Sequence, residues 1–242
     1  MATIPPAQLS KLIEKCLTDF YDRRFKAIDD LDLKKILSRK NPYLFRAIGT
    51  EQASEIVKQI LQAYMSSSDE TIFGDAYFEQ IAQNLPNVVA SDGAGADFKI
   101  EDETTIRDYS LKSGPNPFNA AQREKQNTQF MEMRARLAKM RKKFDPVLAY
   151  SYGRRIKPAD GKRIYRETSG QEFWAEVTGD SDFYLKLIRL MGSIPQRRKE
   201  EYQHVWDAAV NRLELEFLKA FCFPEDGRID WEKLTAFVSG TP

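Results

Sequence analysis

The stretch that decides the fold is Ala96-Asp97-Phe98-Lys99-Ile100-Glu101, followed by Ile106-Arg107-Asp108-Tyr109-Ser110-Leu111-Lys112. Both halves alternate apolar and polar residues with period two, the mark of strands with one buried face. Asp102 to Thr105, between them, reads as a hairpin turn. Phe98 and Ile100 share one face of the first strand, so Asp97 points the other way. In the second strand Tyr109 and Leu111 face one side, and Asp108, Ser110 and Lys112 face the other. Antiparallel pairing can therefore set Asp97 beside Ser110 and Lys112.

Working outward, the chain before Pro86 has helical spacing. Leu9, Leu12, Ile13, Cys16, Leu17, Phe20 and Tyr21 make one amphipathic stripe after Pro5-Pro6. A shorter helix is expected over Leu31–Ser38, and Asn41-Pro42 breaks the chain. Ala53, Ile56, Val57, Ile60, Leu61 and Tyr64 make a further stripe. Ser66 to Asp69 reads as a turn and N-cap, with a helix over 70–84 behind it. Asn87 to Ala90 is a short strand, and Asp92 to Gly95 a turn. Beyond the hairpin, Gly114-Pro115-Asn116-Pro117 stops the strand, and a long helix is expected over 120–143 with Phe130, Met133, Leu137 and Met140 as its core face. Pro146–Tyr152 and Arg163–Glu167 read as strands around a basic loop. Helices follow over Gln171–Val177, Asp182–Met191, Pro195–Phe221 and Trp231–Phe237. This order predicts an α/β (mixed α+β) fold with a small mixed sheet flanked by many helices. We expect a single domain, 1–242: a helical part over 1–85, a sheet with a basic helix over 86–167, and a helical part over 168–242.

Composition narrows the chemistry. The 242 residues are 42% hydrophobic and 30% charged, as in an ordinary globular protein. No run approaches a membrane span, and Met1 to Pro6 lacks the features of a secretory signal. These features predict a cytoplasmic protein. Cys16 and Cys222 share no CxxC spacing and read as small buried hydrophobes. A single histidine, His204, argues against most zinc sites and His-based triads; it lies in a charged helix and reads as a surface residue. No phosphate loop is present, since Gly93-Ala94-Gly95 lacks the lysine and spacing. The net charge is +1, yet residues 120–166 carry 14 Lys/Arg against 4 Asp/Glu. Such a block suits a polyanion, although a solvated helix face would read the same way.

The hairpin carries the chemistry. A carboxylate and a lysine at one end of it can hold Mg²⁺ and a water; the ion polarises a scissile phosphate, and the lysine orients the water. Glu79 lies in Phe78-Glu79-Gln80-Ile81-Ala82, a carboxylate flanked by core-type residues. It is available to the same ion, or it is a boundary glutamate. The basic helix opens with Gln122, Arg123, Glu124, Lys125, Gln126 and Asn127, residue types that contact phosphates or bases. Asn116 and Asn119 either contact DNA or cap that helix. Tyr150, Tyr152, Arg154, Arg155 and Lys157, at and beyond a strand end, either enter a DNA groove, or Tyr150 or Tyr152 packs in the core and the arginines only contact phosphates or stay solvated.

Asp97, twelve intervening residues and Ser110-Leu111-Lys112 resemble the PD-(D/E)XK nuclease signature. The wider text is similar to a group of type II restriction endonucleases. The resemblance runs through Asn41-Pro-Tyr-Leu-Phe-Arg-Ala47, Ser66 to Asp75 leading into Phe78-Glu79, Ser110-Leu-Lys-Ser-Gly-Pro-Asn116, Tyr152-Gly153-Arg154, Phe173-Trp174 and Gly227-Arg-Ile-Asp-Trp231. It implies a restriction-endonuclease-like core. It implies that Asp97 binds metal, that Lys112 is the catalytic lysine and that the Leu111 carbonyl can be a ligand. Ala96 replaces the proline. Ser110 replaces an acidic residue, so a carboxylate must come from elsewhere: Glu79 or Glu124, with Asp108 ranked below both. The resemblance further implies Mg²⁺, double-stranded DNA, 5′-phosphate products, a homodimer and a partner methyltransferase of a restriction-modification system. The helices before Pro86 and after Gly179 would build that dimer and clamp the duplex. Two other readings are a structure-specific repair or recombination nuclease of the same fold and a non-catalytic DNA-binding protein.

Overall fold

The computed structural model describes residues 4–91, 93–115, 118–140 and 142–240. Asn116, Pro117 and the side chain of Met140 lie outside the described residues. The hairpin forms as expected. It belongs to a five-stranded mixed sheet in the order β1 (Val89–Ala90), β2 (Phe98–Glu101), β3 (Thr105–Lys112), β4 (Lys143–Tyr150) and β5 (Arg166–Ser169). The first three strands pair antiparallel; β3, β4 and β5 run parallel. Phe98 stands opposite Tyr109, and their rings stack 4.9 Å apart. Asp102 sets the turn by accepting the Thr104 and Thr105 backbone N–H groups at 2.9 and 2.8 Å.

The helices are α1 (Pro6–Asp29), α2 (Leu33–Leu37), α3 (Pro42–Ala47), α4 (Ala53–Phe73), α5 (Gln80–Gln83), α6 (Ala120–Leu137), α7 (Gly170–Thr178), α8 (Phe183–Arg189), α9 (Ile194–Phe221) and α10 (Trp231–Ser239). Asn41 does more than break the chain. Its side chain accepts the Leu44 N–H at 3.2 Å, and Pro42 takes the first helical position, where no N–H is needed. Asn119 and Gln122 close a reciprocal capping box on α6, each bond 2.9 Å. Parallel pairing of β3 and β4 requires a crossover, and α6 supplies it. Gly179 ends α7 with φ +75°, a conformation that a side chain would strain.

The chain divides into two compact units: Met1–Phe20 with Thr71–Ile194, and Tyr21–Glu70 with Pro195–Pro242. The first contains the sheet. On one face, Phe98, Tyr109, Leu111 and Val147 pack with Ile13, Tyr77, Phe173 and Trp174. On the other, Leu148, Tyr150 and Tyr165 pack with Phe130 and Met133 of α6. The second unit is helical and has its own core, with Ile56, Ile60 and Leu61 packed with Leu213, Phe217 and Leu234. Cys16 and Cys222 are free and buried, and His204 is exposed.

Four boundaries differ from expectation. The turn at Ser66–Asp69 does not exist, because α4 runs through it. Ser66 and Ser67 are exposed while Met65 is buried, so packing overrides their weak helix propensity; Asp69 is taken by Arg24 in a two-pronged pair at 2.7 and 2.8 Å. α6 stops at Leu137, followed by a 3₁₀ turn over Ala138–Met140. β4 starts at Lys143, before the expected Pro146, because all eight residues of β3 find partners there. β5 begins at Arg166 rather than Arg163. If α4 is continuous, Ser66→Pro removes an intrahelical hydrogen bond and costs about 3 kcal/mol. Its urea midpoint should fall accordingly; an unchanged midpoint would restore the turn.

Candidate active site

Asp97 precedes β2 by one residue and is tied to β3 twice. Its backbone N–H donates to the Tyr109 carbonyl at 2.7 Å, and its Oδ2 accepts the Leu111 N–H at 2.6 Å. The second bond turns the carboxylate along the strand toward Lys112, whose Nζ lies 3.5 Å from the same oxygen. Both side chains remain about a quarter exposed. Asp97 Oδ1 takes no hydrogen bond among the described residues. Lys112 also sits 6.0 Å from the Phe118 ring centroid, which guides the ammonium without neutralising it.

Glu79 reaches the same place by an unusual local structure. Between α4 and α5 the helix opens into a π-helical segment, Gly74–Glu79. Such segments insert a residue and re-aim the side chains around it, often at functional sites. Gly74 lies against Ser113, directly after Lys112; a Cβ there would sit 3.2 Å from the Ser113 Cβ. Glu79 is half-buried and accepts a hydrogen bond from Gln83 at 2.8 Å. Burial pushes its carboxyl above the usual glutamate range; the charges of Asp97 and Asp75 push it further up, and Lys112 pulls it back. Two carboxylates and a lysine therefore share one electrostatic site at the end of β3.

The position where an acid is expected is closed. Ser110 is buried, and its hydroxyl donates to Gln126 Oε1 at 3.1 Å. Gln126 Nε2 in turn donates to the Gly95 carbonyl at 2.6 Å. A neutral serine–amide pair thus occupies the site of a third carboxylate. Glu124 is exposed on α6 and is not among the charges acting on Glu79. Asp108 is buried and accepts the Ser91 hydroxyl at 2.8 Å, beside a cavity of about 100 Å³ lined by Lys99, Met133 and Arg136. Of the three candidate acids, Glu79 is the one whose carboxyl feels both Asp97 and Lys112. Among the described residues no group of three or more His, Cys, Asp or Glu side chains could hold a metal.

The residues expected on DNA divide sharply. Lys125, Arg154 and Lys157 are exposed, and Tyr152 is 43% exposed with its ring 6.4 Å from Phe78. Gln126 is buried with both ends of its amide used. Asn119 and Gln122 cap α6 with each other. Asn116 lies outside the described residues. Tyr150 is a core residue. Arg155 is held by internal partners while its side chain stays 22% exposed: its backbone N–H donates to Ser169 Oγ at 2.6 Å, and its guanidinium donates to the Pro115 carbonyl at 3.0 Å and pairs with Glu167.

Sequence reasoning missed Glu167. It pairs with Arg123, Arg155 and Arg163 and accepts the Tyr150 hydroxyl at 2.8 Å. The available signal was the period of the strand, since Tyr165, Glu167 and Ser169 must share a face. Arg166 is likewise spent, on Asp145 at 3.1 Å and on Glu176, which also accepts the Tyr109 hydroxyl at 2.6 Å. Part of the basic block is therefore internal wiring.

A mixed sheet with helices on both faces and a carboxylate–lysine end on its central strand is the architecture of a nuclease core. A family model described as Type II restriction endonuclease EcoO109I matches residues 7–200, well over half of the chain and all of this site. No match was found among curated proteins. The chain belongs to that family of type II restriction endonucleases, with the restriction-endonuclease-like fold expected. It is a site-specific deoxyribonuclease acting on double-stranded DNA, and the two other readings give way to this one. No helix among the described residues is long and apolar enough to cross a membrane.

The raised Glu79 carboxyl makes a signed prediction. A folded value above the unfolded one stabilises the protein at low pH, and that contribution is lost as pH rises through the folded value. Glu79→Gln should therefore raise the melting temperature at neutral pH. In carboxyl NMR titrations of the metal-free protein, Asp97→Asn should lower the Glu79 midpoint and Lys112→Met should raise it. A midpoint indifferent to both would mean the three groups do not share a site.

Proposed function

We propose that this restriction endonuclease hydrolyses DNA with Mg²⁺ at a PD-(D/E)XK-type centre made of Asp97, Glu79, Lys112 and the Leu111 backbone carbonyl. The carrying observation is the convergence of Lys112 on Asp97 at 3.5 Å, with Glu79 coupled to both. The donor set fits the ion. Asp97 Oδ1 takes no hydrogen bond among the described residues, Glu79 is a second hard oxygen donor whose carboxyl is raised by burial and then by the charge of Asp97, and Mg²⁺ is commonly held by one or two carboxylates with waters filling the rest. When bound, the ion would polarise the scissile phosphate and make a water acidic enough to attack it.

The chain's own residues do the rest. The Leu111 N–H fixes the Asp97 carboxylate through Oδ2 and leaves Oδ1 to face the site. Lys112 places an ammonium beside that carboxylate, where it orients the attacking water and offsets charge developing on the phosphate. Ser110 and Gln126 hold the hairpin to α6 as a neutral support and are not ligands. Glu124 plays no part in the chemistry. The 3′-oxygen leaves and the 5′-phosphate stays. Arg154, Lys157, Lys125 and Tyr152 are exposed and make the DNA-facing set. The whole chain, both compact units, serves one nuclease. A palindromic target implies a two-fold dimer, in a cytoplasmic restriction-modification system with a cognate methyltransferase.

The test is cleavage of unmethylated phage DNA, with labelled ends, in Mg²⁺ and in EDTA. Discrete fragments carrying 5′-phosphates are expected in Mg²⁺ alone. Asp97→Ala and Lys112→Ala should each lower the rate by roughly a hundredfold or more, the scale of losing one electrostatic contact to the reacting charge. Full activity in either variant, or cleavage in EDTA, would overturn the assignment.

A further inference from the structure

β5 carries a carboxylate that this chemistry does not use. The Glu167 side chain is 0% exposed, yet it lies among Arg123, Arg155 and Arg163, whose side chains are 26, 22 and 18% exposed. Burying one carboxylate needs a partner. The Tyr150 hydroxyl at 2.8 Å and one or two guanidiniums would suffice. Arg163 also pairs with Asp160 at 3.4 Å, so three arginines face two carboxylates and the cluster keeps one surplus positive charge. Arg163 Nε is buried without a hydrogen-bond partner among the described residues. The cluster also has a defined place. Arg155 donates to the Pro115 carbonyl at 3.0 Å, three residues after Lys112. Lys157 and Glu167 exchange backbone hydrogen bonds of 3.0 and 2.7 Å, which pins the exposed crossover bearing Arg154. Gly153 and Gly170 make the approach possible: both have positive φ, and a Cβ on Gly170 would come within 2.7 Å of the Gly153 carbonyl.

We propose that Glu167 is a positioning residue that presents Arg123, Arg155 and Arg163 as a preset contact for the DNA sugar–phosphate backbone beside Lys112. By holding the three together it limits how strongly they grip any duplex. The proposal rests on the nuclease reading and deepens it. Phosphate contacts of this kind set register and carry the salt dependence of binding, without reading sequence. Losing the carboxylate frees guanidiniums to reach phosphates indiscriminately, so non-specific affinity rises and discrimination falls.

The experiment is binding, by fluorescence anisotropy without divalent cation, of a duplex the wild type cleaves and of a site-free duplex, over a series of salt concentrations. Glu167→Gln keeps the shape and removes the charge. On site-free DNA its plot of log affinity against log salt should steepen by about one unit, the slope of one added phosphate contact. The ratio of specific to non-specific affinity should fall by about tenfold or more. An unchanged slope and ratio, even with a lowered melting temperature, would reduce Glu167 to a structural residue and overturn the proposal. Should that variant fail to fold, Arg163→Met gives the second reading: its slope should become shallower by about one unit, and an unchanged slope overturns the proposal equally. A wild type that neither binds nor cuts DNA would sink the nuclease reading itself, and no variant is needed to see that.

Discussion

The site depends on one short hydrogen bond, from the Leu111 backbone N–H to Asp97 Oδ2 at 2.6 Å. A carboxylate beside an antiparallel pair would ordinarily swing into solvent. Here the strand itself holds it, one residue from Lys112. The bond gives Asp97 a fixed direction, leaves its second oxygen open and sets the ammonium 3.5 Å away. The stacking of Phe98 on Tyr109 underneath keeps the register that makes the bond possible. A one-residue slip would move Asp97 away from Leu111 and turn Phe98 out of the core.

Much of this was legible because period-two alternation fixes which side chains share a face. That rule alone put Asp97 with Ser110 and Lys112. Glu79 was legible as an acid set among core residues, but its aim was not, since a π-helical segment is a change of hydrogen-bond partner without a mark in composition. The same silence explains Ser66–Asp69: four small polar residues fit a turn and the outer face of a helix equally well, and only the burial of Met65 and the Arg24–Asp69 pair decide. Gln126 and Glu124 show the limit more plainly. Two residues apart on one helix, one is buried against Ser110 and the other faces solvent, and the phase of α6 against the sheet is a tertiary fact.

The basic block shows why charge must be read together with burial. Arg123, Arg155, Arg163 and Arg166 satisfy buried or half-buried carboxylates, whereas Lys125, Arg154 and Lys157 are exposed. A sum over residues 120–166 weighs these two populations alike. Glu167 collects three of the internal ones at the carboxyl ends of the parallel strands, so internal wiring and candidate DNA surface are continuous there.

The central claim is that Asp97 and Glu79 form one ion site. Its most direct test is Mn²⁺ binding followed by electron paramagnetic resonance in the purified protein, compared with Asp97→Asn, Glu79→Gln and Glu124→Gln. Loss of the bound-ion signal in the first two and its retention in Glu124→Gln is the predicted result. Retention in Glu79→Gln with loss in Glu124→Gln would contradict it and move the second ligand to α6.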